Sequence, residues 1–363
     1  MNARKAWGLP AALLTLALSP VSAQDRTSDW NLLRELLVIP GLSGQEGRVM
    51  DFIQSRLPAS LAAQRDAKGN LWFTVGRGRP HLLFAAHADE LGFTAESITE
   101  QGFVRLRGRG GFLPQTLEGA PFVVYTGRGP LEGVIRPRSD YQAAEPEPFA
   151  PEAYELDIGT ENAEDARRLG IAAGDPVIYK KVIVDLGPEL LAARAVDDRA
   201  GCAALLAAVL QTDWSGVKDK TITCAWTVEE EIGLRGAAVL AGEIKPDYVF
   251  AVDTFVSSDS PLEDPIIAFA PLGKGAVLRA LDSSSLTPRP QLLRMLALAD
   301  RAKIPVQLGI SRGGNDGSVF VPGGAVDIPL SWPGVYAHSF IEKIDRRDLG
   351  SLVRLIKAVM EGY

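Results

Sequence analysis

Five apolar runs in this 363-residue chain end on a histidine or a carboxylate. His87 follows His81 to Ala86, and Asp197 and Asp198 close the run from Leu190 to Val196. Glu229, Glu230 and Glu231 follow the β-branched and aromatic stretch that begins at Thr221. Asp253 follows Tyr248 to Val252, and His338 comes after Val326 to Trp332 and a Pro-Gly turn. The chain has only three histidines, and two of them stand in this set. Each residue alone has a plainer reading: the glutamates as a solvated charge run opening a helix, His338 as a core histidine. Their recurrence at five strand ends points instead to one metal site at the carboxyl edge of an α/β sheet, where open sheets bind ligands.

Nitrogen and oxygen donors without thiolate suit zinc, cobalt or manganese. A metal-bound water needs a nearby carboxylate, not itself a ligand, to take its proton. Adjacent Glu230 and Glu231 supply a ligand and a base, and the residues alone leave open which is which. Asp89, two positions past His87, reads as an acceptor that fixes the imidazole. Asp198 reads more simply as an acid at a helix N-terminus, and His81 as structural. Cys202 and Cys224 fall in apolar helical and strand patterns and read as small core residues, with a disulfide between them the lesser reading.

The elements that must position these groups follow from periodicity. Ser43-Gly-Gln-Glu46 has capping-box spacing ahead of Val49, Phe52, Ile53 and Leu57, which predicts a helix there. Strands are expected at Asn70 to Val75 and His81 to Ala86. Beyond Gly92 the texture turns to short strand-like pieces, Phe103 to Leu106, Phe122 to Tyr125 and Val177 to Ile183, separated by Gly- and Pro-rich turns. Arg136 to Pro151 reads as a loop. This middle region is expected to be a small all-β domain inserted in an α/β domain. Helices return with Cys202, Leu205, Leu206 and Val209, with Pro290 to Lys303, and with Leu349, Leu352, Val353, Ile356 and Val359.

The first 23 residues combine Arg4 and Lys5, an apolar stretch from Ala6 to Leu18, and Val21-Ser22-Ala23 before Gln24. That is the layout of a cleavable export signal, predicting a periplasmic or secreted protein with no membrane attachment after cleavage. Cleavage would leave 340 residues, enough for two domains, and would move the net charge from −7 to −9. Such a charge argues against nucleic acid or an anionic membrane as partner.

Eight motifs, in order, resemble those of the glutamyl and tetrahedral aminopeptidases, a family of co-catalytic dinuclear metallopeptidases. They are H-A-D-E-L-G-F at His87, L-D-I-G-T at Leu156, L-G-I-A-A-G-D at Leu169, A-V-D-D-R-A-G-C at Ala195, T-V-E-E-E-I-G-L-R-G-A at Thr227, V-D-T at Val252, L-G-K-G at Leu272 and Y-A-H-S at Tyr336. The resemblance implies a zinc-peptidase-like, doubly wound mixed sheet with helices on both faces, residues 24–92 and 186–363, and an inserted β domain, residues 93–185, that mediates dimers and larger homo-oligomers. It implies that Asp197 bridges two ions, zinc or cobalt, with His87 and Asp253 completing one site and Glu231 and His338 the other. Glu230 becomes the general base and Asp89 a supporting catalytic residue. The implied reaction is metal-assisted hydrolysis of peptides with free amino termini.

Two departures stand near the implied site: Asn315 in Gly314-Asn315-Asp316, where the family commonly has G-T-D, and Val335, where it has arginine. Members are mostly cytoplasmic, which contrasts with the export-signal layout here. A deacylase or carboxypeptidase-like amidohydrolase on the same scaffold is the competing reading, and it needs a cation for a substrate carboxylate, for which Arg312 is the candidate. A non-catalytic binding protein would have lost a ligand or the base, and none is missing.

Overall fold

In the computed structural model, residues 28–113, 116–137, 142, 154–264 and 269–363 are described. The export-signal segment, residues 1–23, and most of the Arg136 to Pro151 loop lie outside them.

Helices α1 (Asp29–Leu37) and α2 (Gly47–Arg56) precede strands β1 (Gln64–Arg65), β2 (Leu71–Gly76) and β3 (His81–His87). Then come β4 (Gly92–Ile98), β5 (Val104–Arg109), β6 (Pro121–Thr126), β7 (Gly129–Ile135), β8 (Glu155–Asp157), α3 (Ala163–Arg168) and β9 (Pro176–Tyr179). The chain continues through β10 (Ile183–Asp185), β11 (Leu190–Ala193), α4 (Val196–Gln211), β12 (Thr221–Thr227), α5 (Arg235–Glu243) and β13 (Tyr248–Val256). It closes with β14 (Ala276–Leu281), α6 (Arg289–Arg301), β15 (Val306–Ile310), β16 (Val326–Asp327), β17 (Leu330–Gly334), β18 (Glu342–Asp345) and α7 (Arg346–Gly362).

The main sheet is mixed and runs β1-β2-β12-β3-β13-β17-β14-β15, with β16 alongside β13. Its central strands are apolar at nearly every position because both faces are covered. Leu82, Phe84 and Ala86 of β3 face the core shared with α1, α4 and α7, while Leu83 and Ala85 face the opposite layer with α5 and Phe320. Parallel register decides what reaches the edge. Thr227 on β12 pairs with His87 on β3, and Val252 on β13 pairs with Ala86. Asp253 and the glutamates after Thr227 therefore arrive at the same edge as His87.

Strands β4 to β9 form a closed antiparallel barrel. Its core holds Phe93, Phe122, Tyr154 and Tyr179, with Phe122 and Tyr179 ring centroids 4.3 Å apart. The expected strand Val177 to Ile183 is two strands: β9 ends the barrel, and β10 joins a separate sheet, β10-β11-β18. The barrel's entry and exit meet at a buried ion pair, where Lys181 Nζ donates to Glu90 Oε1 at 2.6 Å. Gly41 N also donates to that Glu90 oxygen, at 3.0 Å. Breaking such a buried pair costs about 3–5 kcal/mol. No described helix is long and apolar enough to cross a membrane.

The capping box does not form. Helix α2 starts at Gly47 with Glu46 as its cap residue and no side-chain cap. The Ser43 hydroxyl is used elsewhere, donating to Asp89 Oδ2 at 2.6 Å. Glu46 Oε1 accepts from Gly44 N at 2.6 Å and from Glu229 N at 3.0 Å. Long-range partners at the sheet edge thus outcompete the local cap. Both cysteines are buried and free.

Candidate metal centre

At the carboxyl edge of the central strands, a cavity of about 140 Å³ is lined by His87, Asp197, Glu230, Glu231, Asp253 and His338, with Arg279, Ser311, Gly313 and Gly314 among its other walls. Asp197 occupies its middle. Its Oδ1 is 3.3 Å from His87 Nε2, and its Oδ2 is 3.6 Å from His338 Nε2. His87 Nε2 is also 3.8 Å from Asp253 Oδ1, and His338 Nε2 is 3.6 Å from Glu231 Oε2. Donor atoms of His87, Asp197 and Glu231 lie within 4.8 Å of one another, as do those of His87, Asp198 and Asp253. Asp198 combines two situations. Its Oδ1 accepts from Gly201 N at 3.0 Å and Trp332 Nε1 at 3.1 Å, as a helix N-terminal acid does. Its Oδ2 is buried with no hydrogen-bond partner.

Asp89 ties two of these segments together. Its Oδ1 is 3.3 Å from His87 Nδ1 and accepts from Glu230 N at 3.0 Å, while Oδ2 accepts from Glu231 N at 3.2 Å. One carboxylate therefore orients the imidazole and the turn that carries both glutamates. Glu229 points away from this work, pairing with Lys68 at 2.5 Å and Arg235 at 3.6 Å. His81 Nε2 hydrogen-bonds Thr223 Oγ1 at 2.9 Å, far back along the strand.

The electrostatics are those of an anion cluster short of cations. Burial, with Asp197 and Asp89 nearby, pushes Glu231 well above the usual carboxylate range. Burial also raises Glu230, with Asp253 and Asp316 adding to it against the pull of His87. For His87, burial opposes the charged form, yet the neighbouring carboxylates of Asp197 and Asp89 hold it well above its ordinary value. Asp197 Oδ1 and Glu231 Oε1 are buried without a hydrogen-bond partner. A divalent cation would satisfy these oxygens and offset the repulsion, and the all-nitrogen-and-oxygen donor set suits zinc, cobalt or manganese. The residues present fit such a group.

Three supporting residues carried little signal in the sequence. Arg279 interrupts the apolar β14, and that interruption is the clue. Its Nη2 stands 3.6 Å from Asp253 Oδ2, and its Nη1 is 3.3 Å from Asp282 Oδ2. Ser43 was masked by its apparent capping role. Glu342 on β18 is a lone glutamate with no telling spacing, yet it accepts backbone hydrogen bonds from both Asp197 and His338.

The two departures near the site do not face the cavity. Asn315 is buried, with Nδ2 donating to Asp282 Oδ2 at 2.8 Å and Oδ1 accepting from Gly317 N at 2.7 Å, so it builds a turn. Val335 is buried and pairs with Lys343. Arg312 is not among the described residues that line the cavity, although its neighbours Ser311 and Gly313 are.

The sequence pattern of the M42 glutamyl aminopeptidases matches residues 69–355. The glutamyl aminopeptidase of Lactococcus lactis is 30% identical over 321 residues, covering 85% of this chain and 88% of that protein. The lysyl aminopeptidase of Pyrococcus furiosus is 28% identical, covering 92% and 97%. The solved Pyrococcus horikoshii TET1 peptidase, which can assemble into a tetrahedron or a large octahedral shell, superposes with a TM-score of 0.84 at 33% identity, covering 93% of this chain and all of that one. Nothing in these relatives supports the expected periplasmic or secreted destination, and that expectation is withdrawn. The segment on which that expectation rested, residues 1–23, lies outside the described residues. Fold, edge chemistry and kinship agree, and this chain belongs to the M42 glutamyl aminopeptidase family.

Proposed function

We propose that this aminopeptidase works through two divalent ions, zinc or cobalt, with His87 and Asp253 on one, Glu231 and His338 on the other, and Asp197 shared. The observation that carries the reading is the posture of Asp197, whose two oxygens face different histidines at 3.3 and 3.6 Å. Bound there, the ions would supply Lewis acidity to the scissile carbonyl and the attacking water. Glu230 lines the cavity without a partner role in the histidine contacts, which suits a base that takes the water's proton and delivers it to the leaving amine. Asp89 holds the His87 ring and the Glu230 turn in register for that transfer. The acidic lining favours a positively charged amino terminus over an acetylated one.

The catalytic part comprises residues 24–92 and 186–363, and the insert, residues 93–185, serves assembly. A closed barrel with its own aromatic core suits that separate task. Like the TET1 peptidase, the chain forms a homo-oligomer, built from dimers. A carboxypeptidase-like reading has less support, since Arg279, the arginine at the cavity, is engaged by Asp253 and Asp282.

The test is release of free amino acid from short peptides with free or acetylated amino termini, with zinc or cobalt supplied and Glu230→Gln run alongside. Only free-amine peptides should be cut, and Glu230→Gln should lose about 10²–10⁴-fold in kcat while retaining its metal. Cleavage of acetylated peptides would move the assignment to an amidohydrolase.

A further inference from the structure

Among the groups around the cavity, one buried carboxylate joins the shared Asp197 to His338 without lining the cavity itself. Strands β11 and β18 pair antiparallel with Ala193 opposite Glu342. That register places the start of β18 against the segment that leads from β11 into α4. Glu342 Oε2 accepts from the backbone N–H of Asp197 at 3.1 Å. Its Oε1 accepts from the backbone N–H of His338 at 3.0 Å. Arg194, also buried, donates to Glu342 and, at 3.2 Å, to the carbonyl of Ser339, so it balances the carboxylate's charge and pins the same loop.

His338 needs such help more than the other histidine does. It sits in a loop with φ +62°, a left-handed conformation that is strained for a non-glycine residue and persists only where surroundings enforce it. Its side chain is 41% exposed, so packing does not fix it. Its carbonyl accepts from Leu113 N at 3.2 Å, and the bond from its amide to Glu342 is what ties it to Asp197.

We infer that Glu342, backed by Arg194, is a positioning residue that couples the His338 loop to Asp197 and thereby sets the affinity of the second ion. The inference rests on the dinuclear reading above. Loss of this carboxylate releases the His338 loop while β3 and β13 still hold His87 and Asp253 in sheet register.

The experiment is equilibrium dialysis of metal-free full-length protein against zinc, counting ions per chain for wild type, Glu342→Gln, His338→Ala and the double variant. Circular dichroism and thermal melting establish that each protein folds. Wild type should bind two ions. Glu342→Gln should keep one at near wild-type affinity and hold the other about 10–100-fold more weakly. Adding His338→Ala to Glu342→Gln should weaken that second ion by much less than the sum of the single effects, because both act on one contact. If Glu342→Gln fails to fold with Arg194 left unpaired, Arg194→Met/Glu342→Gln removes both charges and carries the same comparison. Unchanged binding of both ions, or equal weakening of both, would overturn the coupling role. Fewer than two ions on the wild type would overturn the dinuclear reading itself.

Discussion

The two halves of the cavity are built on different principles. His87 has a 3% exposed side chain and ends β3, next to Asp253 on the adjacent parallel strand. His338 has a 41% exposed side chain and stands in a loop beyond β17, and Glu231 lies in the turn after β12. The first half is placed by sheet register, which packing on both faces makes hard to shift. The second is placed by the backbone amides of Glu231 and His338, which donate to the carboxylates of Asp89 and Glu342. One site thus joins a half held by sheet register to a half that is open at His338 and depends on buried carboxylates.

The largest test of that contrast removes what the halves share. Asp197→Asn should strip both ions and lower kcat/KM by more than the ~10²–10⁴-fold expected for losing a base, read by metal content and peptide turnover. Retention of one tight ion would show that the halves are independent. Next comes a paired comparison in metal-free protein. His87→Ala breaks a buried charge network and should cost about 3 kcal/mol of stability in urea unfolding, whereas the half-exposed His338→Ala should stay within ~0.5 kcal/mol. Equal costs would erase the distinction. The smallest effect is expected at Ser43→Ala, which removes one hydrogen bond to Asp89 of about 1 kcal/mol. It should weaken binding of the first ion about fivefold in zinc dialysis, with little change in melting temperature.

Legibility in the sequence did not follow that divide. The candidates of both halves stood out alike, because apolar runs ending in His87, Asp253, Glu231 and His338 combine a strand signal with a chemical one. The β-rich texture after Gly92 likewise marked the barrel, since short strands and Gly-Pro turns recur there, but it ran on into Ile183–Asp185, which belongs to a separate sheet. What the sequence concealed were solitary residues whose partners are distant in the chain. Ser43 and Glu46 have the spacing of a local cap, and only the approach of Asp89 and Glu229 decides against it. Glu342 is 145 positions from Asp197, and no local pattern encodes such a pairing. Residue types alone could not separate Glu230 from Glu231, because both share one turn and differ only in which way the backbone aims them.

The neck of the barrel has a consequence of a different kind. Chain enters the barrel just after Glu90 and leaves it just before Lys181, and the two residues clasp each other across the opening. An insertion whose ends are already joined places little demand on the fold that hosts it, because its internal length adds only slowly to the entropy of closing the loop. Lineages can therefore lengthen, reshape or exchange the barrel while β3 and α4 keep their places. The barrel can diverge at one pace, and the hydrolytic edge at another.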